Sequence, residues 1–279
     1  MLSLFLFLAL LGLLFLYHLM SWQPLDTSIL YQNHDFLLFG HRGSPEKQPE
    51  NTISSFKQAV ADGCNAVELD VFCSRDGQLV VFHDETLERT TDGTGEVVTH
   101  TLSQLQSLNA AKIWPGRNET IPTLNDVIDS LPDDIIVNIE IKNYAVISKQ
   151  KIEEKLVSYI REKGLDNRVI ISSFNPVNLW KVKQADPSLF TALLWYEPSW
   201  YSPRYVFGLH IAHPDILHPA QEDMNSALRF WARFKKLPLH VWVVNDAEKM
   251  DQLKKDSMVK GIMSDDTELL IKTVANKAV

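Results

Sequence analysis

Eight short apolar runs recur along the chain from Phe36 onward, and segments with helical spacing fall between them. The runs cover 36–39, 66–72, 135–141, 169–173, 190–194, 215–217, 240–244 and 261–264. Several are apolar at nearly every position instead of at alternate ones, the pattern of strands covered on both faces. Helix signals lie between the runs. Asn51-Thr52 offers an N-cap for a helix through Ala61 that Gly63 stops. Further helices are predicted over about 148–163, closed by Gly164, and over 223–235 and 247–255. Alternation of this kind gives an α/β chain, and eight units with no shift in composition favour one closed (β/α)₈ barrel of the TIM type over 36–276. A doubly wound open sheet is the alternative, but no Gly-rich fingerprint follows the first run. One stretch breaks the repeat. Residues 74–123 hold an extra β-type run at 78–82, a Thr/Gly-rich loop and a short helix near 102–108. They read as a small insertion after strand two, at the strand ends where barrels build their sites.

Ahead of the barrel, residues 1–22 form a nearly continuous apolar run rich in Leu and Phe, broken only by Ser3, Gly12, Tyr17, His18 and Ser21. About 20 such residues in a helix match the roughly 30 Å hydrocarbon core of a bilayer. The run therefore predicts an N-terminal transmembrane helix and membrane localisation, with a polar tether over 23–35. A cleaved signal peptide competes, but it wants a basic start and a small-residue cleavage site. Here the first Lys or Arg is Arg42, and no such site is present. Without flanking basic residues the side of the membrane stays open.

A net charge of −8 with no basic cluster excludes nucleic acid as a partner, because phosphate backbones are bound by grouped Lys and Arg. Chemistry on a phosphate would need a metal to offset that charge. Cys64 and Cys73 bracket a predicted strand. Nine extended residues cover about 30 Å, whereas a disulfide needs Cα atoms within ~7 Å, so both are expected as free thiols.

The ends of the predicted strands carry the chemistry. Strand one runs into His41-Arg42-Gly43, strand two carries Glu68 and Asp70, and strand three carries Glu140 and Lys142. With a period of two, each pair aims one way, into the upper mouth of a barrel. Three carboxylates crowded there shift upward unless a cation sits among them. Carboxylate oxygens without thiolates suit a hard ion, Mg²⁺ or Ca²⁺. The bland alternative is a buried ion pair of Glu68 or Glu140 with Arg42 or Lys142. His83 ends the run 79–82. Two histidines beside a metal meet the needs of a phosphodiester, one taking a proton from the attacking oxygen and one giving a proton to the leaving alkoxide. The other histidines are expected to be structural, with His218 less certain because it ends predicted strand six.

These segments resemble the glycerophosphodiester phosphodiesterases: His41-Arg42-Gly43, Pro49-Glu50-Asn51-Thr52, Glu68-Leu69-Asp70-Val71, Asp76-Gly77, His83-Asp84, 89–95, Pro122-Thr123-Leu124, Glu140-Ile141-Lys142, Ser173-Phe174 and 242–245. The resemblance runs from about 36 to 270. It implies a barrel with a small insertion, His41 and His83 as the acid/base pair, and a divalent ion on Glu68, Asp70 and Glu140. Arg42 and Lys142 would bind phosphate, Glu50 would support the metal site, and Trp242 would face the glycerol. It further implies hydrolysis of glycerophosphodiesters to an alcohol and sn-glycerol 3-phosphate, with lysophospholipids as the alternative substrates. A non-catalytic membrane barrel is the remaining reading, although every expected position is filled. Val243 and Lys260 depart from the pattern, where Thr and Asp are usual. Beyond the resemblance, 195–205 packs five aromatics and two prolines after strand five. It is expected either to wall the substrate and touch the membrane or simply to cover the barrel's helices.

Overall fold

Each apolar run becomes a strand within one to three residues of where its spacing puts it. The structure, a computed structural model, describes residues 2–143, 150–196 and 204–275. The chain order is α1 (Leu2–Ser21), β1 (Leu37–His41), α2 (Ile53–Asp62), β2 (Ala66–Cys73), β3 (Leu79–Val81), α3 (Leu102–Gln106), α4 (Leu124–Ser130), β4 (Ile136–Ile141), α5 (Ile152–Lys163), β5 (Val169–Ser173), α6 (Pro176–Ala185), β6 (Phe190–Trp195), α7 (Arg204–Ala212), β7 (Ile216–Pro219), α8 (Ser226–Lys235), β8 (Leu239–Val241), α9 (Ala247–Lys254), β9 (Val259–Ser264) and α10 (Thr267–Leu270). Eight strands pair in parallel, and β1 hydrogen-bonds both β2 and β9, which closes the barrel. β3 lies antiparallel on the end of β2 and opens the inserted segment, as expected. The caps are those the sequence offers: Thr52 accepts from Ser55 N, and Gly63, at φ 107°, ends α2. α5 starts at Ile152; residues 148–149 of its expected first turn lie outside the described residues.

The period of two sorts the strand residues into two cores. Outward residues such as Val67, Leu69, Val137 and Ile139 pack under the helices. Inward ones, including Leu37, Phe39, Ile136, Ile170, Phe190, Ile216 and Met263, fill the barrel. Leu25, Ile29, Leu30 and Tyr31 from the tether pack against this inner cluster at the starting ends of the strands and stop that end. Further along the same strands the inward positions turn polar, at His41, Glu68, Asp70, Asn138 and Glu140. One end is therefore a closed apolar floor and the other a charged mouth. Cys64 and Cys73 are free and buried.

The N-terminal expectation needs correction. Among the described residues no helix is long and apolar enough to cross a membrane. The later turns of α1 are committed to the barrel instead. The Phe15 ring sits 4.5 Å from that of His210, and His18 Nε2 lies 3.2 Å from the His210 carbonyl oxygen and 3.1 Å from Nε2 of His213. Trp22 stacks on His213 at 5.1 Å. The part of α1 before Phe15 reaches only about 20 Å at 1.5 Å per residue, short of the roughly 30 Å core.

Candidate active site

The turn after β1 sets the geometry of the mouth. Arg42 and Asn51 take left-handed backbone angles, φ 54° and 57°, which few residues other than glycine adopt. That conformation lets the Arg42 amide donate to Glu68 Oε2 at 3.0 Å, while the Asn51 side-chain amide donates to Asp70 Oδ2 at 2.7 Å. The turn can close only on Gly40, because a Cβ there would fall 2.3 Å from the Gly43 carbonyl oxygen.

Glu68, Asp70 and Glu140 meet behind this turn, buried, with one oxygen from each within 4.8 Å of the others. Lys142 lies between two of them, 3.0 Å from Asp70 and 2.7 Å from Glu140, and Arg42 Nε is 3.6 Å from Asp70. Two cations do not satisfy three carboxylates. Burial and then the charges of Asp70 and Glu140 push Glu68 well above the usual range. Burial, only partly offset by Lys142, pushes Glu140 up to about 7. Asp70 is held low because Lys142 and Arg42 outweigh its burial. Asn138, level with Glu68 in the sheet, keeps its side-chain carbonyl oxygen buried with no hydrogen-bond partner. A hard divalent cation fits this oxygen donor set and its missing positive charge.

Each histidine expected to act on protons is oriented by a carboxylate. His41 Nδ1 is 2.7 Å from Asp265 Oδ1, and His83 Nδ1 is 2.6 Å from Asp84 Oδ1. Partial burial raises Asp265, but the His41 and Asn245 hydrogen bonds and the His41 charge bring it below its ordinary value. In Asp84 the pull of Arg89 and His83 likewise overcomes burial. Both carboxylates are ionised and can only accept, so each imidazole carries its proton on Nδ1 and turns Nε2 the other way. Burial moves His83 below its ordinary value, more than Asp70 and Asp84 raise it.

His41, Arg42, Glu68, His83, Glu140 and Lys142 line one cavity of about 150 Å³, closed on its apolar side by Phe174, Leu194 and Trp242. Trp242 stands edge-on to Phe174 at 5.6 Å, and its indole N–H donates to the His218 carbonyl oxygen at 2.6 Å. Glu50 sits one layer out. It accepts from Arg42 Nη1 at 3.0 Å and takes both Arg89 Nη atoms at 2.7 Å, so its support reaches the triad through Arg42. Arg89 in turn grips Asp84, tying the turn after β1 to the inserted segment.

The mouth thus gathers all nine expected site residues. Asp265 and Asn138 fall outside the sequence segments that carry the resemblance, while Arg89 and Asn245 lie inside them without an assigned role. Asp265 had a signal, a carboxylate directly after the last strand at the face where barrel sites form. Lys260, where the pattern usually brings an Asp, is exposed. Of the aromatic loop, Trp195 is buried and Tyr196 is exposed 6.4 Å from the Trp242 ring. Trp200 and Tyr201 lie outside the described residues.

The model of the glycerophosphoryl diester phosphodiesterase family matches residues 41–269. The chain belongs to that family. A glycerophosphodiester phosphodiesterase of Caldanaerobacter subterraneus is 39% identical over 241 residues, which is 85% of this chain and 97% of that protein. Among solved structures, the glycerophosphodiester phosphodiesterase of Agrobacterium tumefaciens superposes with TM-score 0.71 at 26% identity, covering 85% of this chain and 99% of that one. An Oleispira antarctica phosphodiesterase, solved with the product sn-glycerol-3-phosphate, gives TM-score 0.73 at 26% identity over 86% of this chain and 97% of its own. For this member of the family, the matched span begins at His41 itself and ends just past Asp265, so it holds every residue placed at the mouth.

Proposed function

We propose that this chain hydrolyses glycerophosphodiesters to an alcohol and sn-glycerol 3-phosphate, with a divalent cation held by Glu68, Asp70 and Glu140. The observation that carries the reading is the pair of carboxylate-oriented histidines facing one small cavity beside a charge-deficient carboxylate triad. When bound, Mg²⁺ or Ca²⁺ supplies Lewis-acid stabilisation of charge on a phosphoryl oxygen. Arg42 and Lys142 border the same space and hold the phosphate by charge. With Nδ1 fixed on Asp265 or Asp84, each histidine presents Nε2 to substrate. One receives the proton of the attacking hydroxyl, and the other delivers a proton to the departing alkoxide oxygen. Phe174 and Trp242 give the carbon skeleton of the glycerol an apolar wall and exclude water from that side.

The cavity's size and position favour water-soluble diesters over lysophospholipids. About 150 Å³ lies below the range for drug-sized ligands and suits a compact glycerophosphate end. We further propose lipid attachment through α1, supported by its bare apolar side chains, such as Leu4, Phe5 and Leu13, each more than half exposed. His213, on which Trp22 stacks, joins the end of α7 to the start of β7, so the seat of α1 is at the floor of the barrel, away from the mouth. A substrate buried in the same lipid layer would have to travel the length of the barrel.

The test offers purified full-length protein glycerophosphocholine, glycerophosphoethanolamine and lysophosphatidylcholine side by side with Mg²⁺ or Ca²⁺. The glycerophosphodiesters are expected to release sn-glycerol 3-phosphate at the higher rates. Preference for lysophosphatidylcholine would transfer the assignment to the lysophospholipid reading.

A further inference from the structure

The seat of α1 adjoins a second apolar surface. On α8, Phe230 and Phe234 are exposed, at 61% and 41%, and stack face to face 5.9 Å apart. Ala227 extends the stripe one turn back at helical spacing, while Leu228 and Ala232 on the other side of α8 are buried in the barrel. The aromatic stripe is therefore the outer face of a helix already packed on its inner one. Arg233 and Lys236 flank it, both exposed. Its neighbours lead back to α1. The Trp231 ring is 5.4 Å from Phe230 and 6.3 Å from His210, the residue on which Phe15 packs. The Lys235 ammonium donates to the Trp22 carbonyl oxygen at 2.5 Å and lies within 6 Å of both the Trp22 and Phe234 rings.

We propose that the outer face of α8 rests on an anionic lipid surface beside α1, with Phe230 and Phe234 entering the headgroup region and Arg233 and Lys236 meeting lipid phosphates. The inference rests on the lipid attachment proposed for α1 and extends it to the body of the barrel. Length supplies the reason. The free part of α1 reaches about 20 Å, enough to enter a bilayer and too little to hold the barrel clear of it. Whatever surrounds the seat is then brought to headgroup depth. Aromatic rings bordered by Arg and Lys satisfy that depth, because the rings lose contact with water while the cations keep theirs. The chain's net charge of −8 makes the exception informative: a barrel that is acidic as a whole shows basic side chains around this stripe. The mouth consequently faces the aqueous side, where soluble diesters diffuse.

The experiment uses the full chain with single cysteines carrying an environment-sensitive fluorophore, the native Cys64 and Cys73 being buried. Labels go at Phe230→Cys, at Leu11→Cys to report α1, and at Ile113→Cys on the exposed surface of the inserted segment. Vesicles are phosphatidylcholine with phosphatidylglycerol. A blue shift at 230 quenched by headgroup spin labels, a blue shift at 11 quenched by spin labels high on the acyl chain, and neither at 113 is the expected result. A buried label at 11 with an aqueous label at 230 overturns the inference and leaves the attachment of α1 standing. Aqueous labels at both positions overturn both. Burial at 230 without lipid, with doubled mass by light scattering, assigns the face to a second copy and also overturns it. Phe230→Ser with Phe234→Ser should weaken vesicle partitioning roughly tenfold, the size expected for two partly buried rings, with hydrolysis of glycerophosphocholine unchanged.

Discussion

The two ends of this barrel solve the problem of buried polar groups in opposite ways. At the mouth, Glu68, Asp70 and Glu140 share too little positive charge, and two of the three are pushed toward protonation. Below the mouth, inside the barrel, His218 and His240 are also fully buried, yet they stay neutral. His218 Nε2 lies 3.0 Å from His240 Nδ1, and His240 Nε2 lies 2.8 Å from the Tyr31 hydroxyl, a chain of neutral partners between strands and plug. Burial alone lowers His240 to about 3, and burial with His240 beside it lowers His218 further from its ordinary value. This network leaves His218 Nδ1 without a hydrogen-bond partner but carries no charge, whereas a charged cluster short of cations is incomplete and invites a ligand. Frustrated electrostatics mark the working end, and an uncharged chain of hydrogen bonds marks the structural one.

The largest effect should come from removing what completes the mouth. Excess chelator should abolish turnover, and a hard divalent ion should restore it. Asp70→Ala should lose both turnover and calorimetric ion binding while its circular dichroism stays native. Full activity in chelator would break the contrast, because the triad would then be a satisfied ion-pair cluster like any other.

Next in size are the histidines. His41→Ala and His83→Ala should each lower kcat by roughly 10²- to 10⁴-fold with little change in melting temperature. A substrate with a good leaving group should partly rescue whichever of the two donates the proton. Asp265→Asn, which leaves His41 without an ionised acceptor, should cost less than His41→Ala and should alter the pH–rate profile. Near-normal rates in both alanine variants would remove proton transfer from the assignment.

The barrel itself was legible because strands covered on both faces must be apolar at consecutive positions, a pattern that survives without any tertiary information. The mouth was legible where chemistry sits at strand ends with a spacing of two, as in Glu68 with Asp70 and Glu140 with Lys142. The orienting pairs were not. Asp265 meets His41 across 224 positions of sequence, and only closure of β9 on β1 brings them together. The fate of α1 was hidden for a similar reason. Its composition speaks of lipid, but its usable length depends on where Phe15 and His18 dock, and α7 decides that. His218, flagged by its place at a strand end, proved to belong to the interior chain; only its carbonyl, under Trp242, bears on the site.

The smallest effect is one of stability, and it separates the two ends by sign. Glu140 has its pKa raised in the fold, from 4.5 to about 7, so the folded state holds a proton that the unfolded chain gives up between those values. Its contribution is fully present below 4.5 and is lost as pH rises through about 7. His240 is the reverse. With its pKa lowered from 6.5 to about 3, the unfolded chain takes the proton first, so stability is full above 6.5 and falls as pH drops toward 3. Between pH 6.5 and 5 the two trends oppose, each group contributing at most about 1.4 kcal/mol per pH unit, with Glu68 acting in the direction of Glu140 and His218 in that of His240. Single substitutions should expose each end. Compared with the metal-free parent, Glu140→Gln should lose up to about 2 kcal/mol more stability on acidification across that window, and His240→Gln up to about 2 kcal/mol less. Urea denaturation in chelator at pH 6.5 and 5 measures both slopes. Equal slopes in the two variants would mean that mouth and floor do not differ electrostatically, and the division drawn between them would fail.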